Sequence, residues 1–357
     1  MYRIIILVLL VSTLNYSCQG QESEIVELPF DCPTGVDCSI GNVLVTAPEI
    51  ADIYVDGRYT GRKTPAMISL TTGEHLIGTG LGESKTYLRK TIDVPNEPIQ
   101  VVLDQQDLMA PITWKALFIG VPEATGLSPN GRCSTHFTTE DLDDAFEFFK
   151  WNLQSHIEPF SFNTIKWDIS RQDLTQPAEL TKTNNGWYTL ESPQGLAEIE
   201  NLKPGDYDVV FLFWRAEEGD CNFESSYFGL AWLDPTSMDT QHTGYITVKF
   251  NPGEMAVAEK LDEYKRNDPG VWTHEWLHVV IEQFYPDLGV DVPTPAEGGD
   301  GLVLHAAGAF NYKFPWMKWY EDLIGGKVRE GSKYVGIGPD ALLKCSIRDA
   351  AMDTCQE

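Results

Sequence analysis

The chain is 357 residues long and carries 53 acidic against 26 basic residues, a formal charge of -27 at pH 7. A balance this acidic repels polyanions, which excludes nucleic acid and anionic membrane surfaces as partners and favours basic or neutral ligands. The length accommodates about two domains beyond a processing segment.

Residues 1–20 read as that segment. Arg3 precedes the apolar run from Ile4 to Val11, and small and polar residues lead to Cys18-Gln19-Gly20. The expectation is an exported protein: extracellular, periplasmic or held at the cell surface. Two readings stay open, cleavage of a signal peptide after Gly20, or membrane attachment through a lipid on Cys18. Six cysteines follow, Cys32, Cys38, Cys133, Cys221, Cys345 and Cys355. An even number in an oxidising compartment predicts disulfides, with fifteen connectivities possible in principle. Cys32 with Cys38 and Cys345 with Cys355 are close enough for small local loops, which leaves Cys133 with Cys221.

From about Val43 to Leu103 the chain alternates apolar and polar residues in short runs. These runs are Val43 to Thr46, Asp52 to Val55, Ala66 to Leu70, Thr86 to Ile92 and Ile99 to Leu103. Turn signals separate them at Asp56-Gly57, Thr60-Gly61, Thr72-Gly73 and Pro95-Asn96. The expectation is a small all-β unit over residues 43–103. The stretch from Ile53 to Pro65, followed by Leu70-Thr71-Thr72-Gly73-Glu74-His75, resembles the PEGA domain, a small β-sandwich of surface proteins. His75, in a predicted turn, reads as a surface or packing residue. Asp104 to Pro111 is a polar connection ending in proline, and it predicts a second unit over residues 110–357 that folds without the first.

In that second unit Trp114 to Ile119 and Thr164 to Ile169 predict strands. Thr138 to about Ile157 predicts an amphipathic helix with Leu142, Phe146, Phe149 and Leu153 on one face, capped by Thr138 and Asp141. Tyr207 to Trp214 is nearly all apolar, as a central strand is. Phe228 to Trp232 and Gly244 to Phe250 follow, the latter expected at a sheet edge.

The chemistry concentrates in His274-Glu275-Trp276-Leu277-His278, which holds two of the seven histidines. At helical pitch His274 and His278 lie one turn apart on one face, so both imidazoles reach one zinc ion while Glu275 can take a proton from water. Asp268 as N-cap, Pro269 at the first position and Pro286 as a stop predict one helix from about Pro269 to Tyr285. The order of strand, helix, strands and His-Glu-x-x-His helix resembles the zincin metallopeptidases. That resemblance implies a mixed sheet backing a zinc helix, hence an α+β chain in which a small β-sandwich precedes a zincin-like catalytic domain. The metzincin continuation is excluded, because Val279-Val280-Ile281-Glu282-Gln283-Phe284 follows His278, and the downstream glutamate of gluzincins is not evident.

A catalytic zinc takes three protein ligands. The candidates for the third are His305, Glu297, Asp300 and Glu282. Ligands spread along one straight helix from His274 to Glu282 would span about 12 Å, so Glu282 is better placed as a partner to a ligating imidazole. His305 follows an apolar run that would fix it, and it ranks ahead of Glu297 and Asp300. Tyr312 and Tyr320 are candidate transition-state donors, whereas Trp316, Trp319 and Tyr320 at helical spacing also suit a core. The function expected is a secreted or surface-attached zinc metallopeptidase acting on peptide or protein substrates. The alternative is a non-catalytic surface binding or adhesion protein with a structural metal.

Overall fold

The structure, a computed structural model, describes residues 29–190, 205–223, 225, 227–233 and 243–356. The targeting segment and Cys18 lie outside the described residues. The chain is a mixed α+β protein with many small sheets and few helices.

The amino-terminal unit has seven strands: β1 (Val43–Thr46), β2 (Ala51–Val55), β3 (Arg58–Lys63), β4 (Ala66–Ile68), β5 (Gly73–Leu81), β6 (Tyr87–Val94) and β7 (Ile99–Val102). They form a three-stranded sheet, β4-β1-β7, and a four-stranded sheet, β3-β2-β5-β6. Val43, Val45, Ile53, Ile68, Ile77, Leu88 and Val101 share the core between them. Strands β3 and β5 were not expected. β3 is half-buried to exposed along its length, so it lacks an apolar alternation. β5 carries three glycines, which depress any strand reading. One of them is explained by packing: a Cβ on Gly80 would lie 2.4 Å from the Phe162 ring of the second unit. His75 sits within β5 rather than in a turn, its Nδ1 2.8 Å from Asp56 Oδ2.

The second unit is built on a five-stranded sheet. Its strands are β8 (Ile112–Gly120), β11 (Ile165–Asp173), β12 (Val209–Arg215), β13 (Gly229–Leu233) and β14 (Gly244–Phe250), and the hairpin β9 (Glu123–Ser128) and β10 (Gly131–His136) follows β8. The spatial order is β11-β8-β12-β14-β13. All neighbours are parallel except β13, which runs antiparallel to β14. Both faces of the sheet are covered, so Phe211 and Phe213 of β12 enter one core while Val210, Leu212 and Trp214 enter the other. Burial of both sides is why this strand is apolar throughout. Gly244–Phe250 is not an edge: it lies between β12 and β13, all seven of its residues buried, and the edge is β13.

Helix α1 (Thr139–Asn152) starts on the expected capping box between Thr138 and Asp141. Helix α2 (Val257–Asn267) ends at Asp268, and α3 (Val271–Val279) begins after Gly270. The expected cap is therefore corrected: Asp268 terminates one helix instead of opening the next. Nor does one regular helix run to Tyr285, because Val280–Phe284 widens into a π turn and Tyr285–Asp287 adds a last α turn. Pro286 sits in the first turn of that segment, where its missing N–H costs nothing. Helix α4 (Met317–Ile324) and helix α5 (Pro339–Lys344) follow.

The two units meet across a polar and aromatic interface. The Tyr54 hydroxyl donates to Gly325 O at 2.9 Å, the Tyr87 hydroxyl donates to Asp340 Oδ2 at 2.6 Å, and Lys327 Nζ lies 2.5 Å from Asp52 Oδ2. Tyr54, Tyr87, Phe162 and Leu343 pack together behind these bonds. The connection between the units is also tied down, since Leu108 bridges Leu88 of β6. Disulfides join Cys32 to Cys38, Cys133 to Cys221 and Cys345 to Cys355, as befits an oxidising compartment. Among the described residues no helix is long and apolar enough to cross a membrane.

Candidate metal centre

Helix α3 is held from behind by apolar packing. Trp272 and Trp276 are fully buried; Trp276 meets Trp114 and Trp167 edge-on at 5.6 and 5.9 Å, and Trp272 meets Phe149 at 5.2 Å. Aromatic contacts in this geometry fix the helix in rotation as well as in place. A buried polar clasp adds to it. Asn152, at the end of α1, donates to Pro269 O and accepts from the Thr273 hydroxyl at 2.9 Å. With this face fixed, His274 and His278 turn toward an open cleft.

Their Nε2 atoms stand 3.1 Å apart. Two nitrogens on one tetrahedral zinc at about 2.0–2.1 Å would be separated by roughly 3.3 Å, so the pair is set at chelating distance. His305, on the single turn Leu304–Ala306, brings a third imidazole. Its ring stacks on His274 with centroids 5.6 Å apart and stands edge-on to His278 at 5.2 Å. One ligand atom from each of the three lies within 4.8 Å of the others.

Each ring is held through its Nδ1. The Tyr320 hydroxyl is 3.0 Å from Nδ1 of His274, Glu282 Oε2 is 2.7 Å from Nδ1 of His278, and Asp300 Oδ2 is 2.5 Å from Nδ1 of His305. Occupied Nδ1 atoms fix the tautomer and leave Nε2 as the ligating nitrogen. Glu282 does more: its Oε1 accepts from Leu304 N at 3.0 Å, which ties the helix to the segment that carries His305. The π turn after α3 carries Glu282 between these two partners.

Glu275 is 3% exposed, and its Oε2 has no hydrogen-bond partner among the described residues. Burial pushes its carboxyl up to about 7, with the charges of Glu282 and Asp268 adding to the rise and His278 opposing it. Burial pulls His274 down to about 3, helped by the neighbouring His278 and His305. Burial also acts to lower His278, but the bond to Glu282 and the charges of Glu275, Glu282 and Asp300 outweigh it and raise its pKa. A neutral His274, a carboxylate-backed His278 and a desolvated glutamate form a donor set that suits zinc, which takes neutral imidazoles and tolerates an adjoining base.

The cleft above these groups encloses about 1010 Å³. Phe228, Gly229, Leu230 and Ala231 of the β13 segment line one side, and Val292, Pro293 and Pro295 another.

The structure brings His274, His278, His305, Glu275 and Tyr320 together. Asp300 contacts His305 as its Nδ1 partner, and Glu282 partners His278 as expected. Glu297 is exposed and does not line the cleft. Tyr312 does not line the cleft either, because its hydroxyl donates to Asp322 Oδ2 at 2.8 Å. That bond turns it away from the role of a donor to substrate. Trp319 and Tyr320 are buried while Trp316 is half-exposed at the cleft wall, so the aromatic segment divides between core and site. Three residues contribute to the site without having been read as part of it in the sequence: Asn152, Gly229 and Asp268, the last expected only as a helix cap. Only Gly229 leaves a signal, a glycine inside a strand pattern, which flags close backbone approach.

A search of curated proteins found no match to the chain. Residues 41–97 match the PEGA domain, so the likeness covers the amino-terminal β-unit and not the unit that carries the three clustered imidazoles.

Proposed function

We propose that this is an exported zinc-dependent metallopeptidase that hydrolyses peptide bonds with Glu275 as general base. The observation that carries the reading is the buried Glu275 Oε2, left without a partner beside three imidazoles that share one metal-sized space. A purely structural site has no use for a desolvated base.

His274, His278 and His305 would hold the zinc, which when bound supplies a Lewis acid that polarises a carbonyl and acidifies water. Glu275 accepts the proton of the attacking water and passes it to the departing amine. Its raised pKa suits both directions of transfer near neutral pH. Tyr320, whose oxygen accepts from the His274 Nδ1–H in the tautomer that ligates through Nε2, keeps its own proton available to the cleft. The edge strand β13 borders the cleft and, apart from Leu233 N, which Gln283 holds, offers backbone groups to an extended peptide, which gives affinity without strict sequence preference. The PEGA-matching unit packs against the opposite end of the chain at Gly325 to Asp340, where it acts as a fixed support or surface-binding module. Lipidation at Cys18 would anchor the whole to a membrane.

Elemental analysis and zinc-edge X-ray absorption test this. The reading expects close to one zinc per chain with three imidazoles and one non-protein oxygen. A fourth protein ligand would favour the structural metal of a binding protein, and folded protein that takes up no zinc would end both readings.

A further inference from the structure

Four carboxylates line the cleft: Asp268, Glu275, Glu282 and Asp300. Two of them are engaged by hydrogen bonds within the chain, and Glu275 keeps a buried Oε2 without a partner. Asp300 holds His305 and accepts from Leu302 N, Glu282 holds His278 and Leu304 N, and Glu275 stands beside the imidazoles. The Asp268 carboxylate has no hydrogen bond or ion pair among the described residues, although its backbone N–H is bonded to Tyr264 O at 2.8 Å.

Local structure does not account for Asp268. It is the C-cap residue of α2, where unsatisfied carbonyls already concentrate negative potential. A carboxylate at a helix C-terminus is disfavoured, the reverse of the usual preference for a cation there. It is half-buried, and burial raises its pKa. No Lys or Arg is among the described residues that line the cleft, and Lys265 and Arg266 in the last turn of α2 make no ion pair with Asp268 among the described residues. A desolvated acid set against a helix end, and kept without a partner, is suited to a cation that arrives from outside.

The walls indicate what kind of cation. Phe228, Val271, Trp316 and Tyr320 line the same cleft, so an aliphatic stem can lie on apolar surface and a charged head can meet ring faces. Glu275, a residue that lines the same cleft, also has a buried Oε2 without a partner among the described residues, so two carboxylates of this cleft are left unsatisfied by the chain.

We propose that Asp268 anchors a basic group of the substrate, an ammonium or guanidinium, so that the cleft selects peptides with a Lys or Arg side chain or a free α-amine near the bond to be cut. The proposal rests on the peptidase reading for its meaning, but the recognition is a binding property and can be measured apart from hydrolysis.

The test uses the zinc-loaded full-length protein and Asp268→Asn, an isosteric change that keeps the residue's shape. Binding and cleavage are measured for a pentapeptide with central Lys, the same peptide with norleucine, and both after N-acetylation. The wild type should prefer the Lys peptide over norleucine, or the free over the acetylated amine, by at least about tenfold, as a charge-assisted bond gives. The first contrast identifies a side chain as the source and the second an α-amine. Asp268→Asn should abolish the preference, read as the ratio of KM or Kd between the Lys and norleucine peptides, or between the free and acetylated ones, within the variant itself. Equal binding of all four peptides by the wild type would overturn the proposal, as would a preference that survives in Asp268→Asn. Preferential binding without cleavage of any peptide would instead overturn the peptidase reading and leave the anchor standing.

Discussion

Gly229 and Glu275 occupy one slot: a Cβ built on Gly229 would lie 2.3 Å from the Glu275 carboxyl carbon and 2.6 and 2.7 Å from its oxygens. The edge strand therefore runs directly against the Glu275 carboxylate, and the absent side chain is the space in which that carboxylate sits. Gly229→Ala should displace the carboxylate or bend β13 away from it, while the three imidazoles stay in place. Misplacement of a reacting group by about 1 Å costs on the order of 10²-fold in rate. The expected outcome is a fall of that size in kcat/KM at unchanged zinc content. Full activity of Gly229→Ala would show that Glu275 does not need this slot.

The proposed zinc ligands should separate clearly by substitution. His305→Ala removes a ligand and should lower zinc affinity most. Asp300→Ala removes the partner that orients His305, and loss of such a partner typically costs 10–100-fold in affinity. Glu297→Ala, in an exposed position away from the cleft, should change nothing. Competition with a chromophoric chelator measures all three, and a large effect of Glu297→Ala would displace His305 from the third position.

The site was legible in the sequence where local spacing determines geometry, and less so where the fold determines it. His274, Glu275 and His278 follow from helical pitch alone. His305 is favoured because the apolar run before it would fix its position, with Glu297 and Asp300 left open beside it; its partner Asp300 sits five residues away in a loop, where carboxylate ligand and carboxylate partner look alike. Asp268 reads as an N-cap because Pro269 follows it, and only the three-dimensional path reveals that it closes α2 instead. The edge position passes from Gly244–Phe250 to Gly229–Leu233 for a similar reason: strand order is a tertiary property, and the half-buried antiparallel neighbour leaves no trace in the apolar pattern of β14. β5 was hidden by glycines that make room for rings from elsewhere in the fold.

The interface between the two units should depend on pH through Asp52. Burial acts to raise its pKa, but Lys327 and Lys63 outweigh that and hold it below the ordinary 3.8. A carboxylate depressed in the folded state contributes stability that is present above its unfolded pKa and is lost as pH falls through the folded one. Urea unfolding at pH 6 and in steps below pH 4 should therefore show a stability loss on acidification that is smaller in Asp52→Asn. Asp340, across the same interface, is pushed up by burial despite Tyr87 and Arg89, so its ionisation opposes stability as pH rises. Comparison with Asp52→Asn separates the two. Identical acid profiles for wild type and Asp52→Asn would contradict the assignment.

The same contacts bear on whether the second unit stands alone. A chain shortened to residues 110–357 loses Tyr54, Tyr87 and Asp52, and so exposes Leu343 and Phe162 and leaves Lys327 without its partner. The expected outcome is a lower melting temperature than the full chain, with zinc still bound, because no ligand or ligand partner lies before residue 152. Unchanged stability would show that the interface is dispensable.

The central claim is that Glu275 is the base of a peptide hydrolysis supported by three imidazoles. The most direct measurement is hydrolysis of a mixed peptide digest by zinc-loaded wild type and zinc-loaded Glu275→Gln at equal metal content. General-base removal typically costs 10²–10⁴-fold, so the account predicts cleavage by the wild type and a loss of at least that order in the variant, with zinc retained. Equal cleavage by both proteins, or none by a fully loaded wild type, would contradict it.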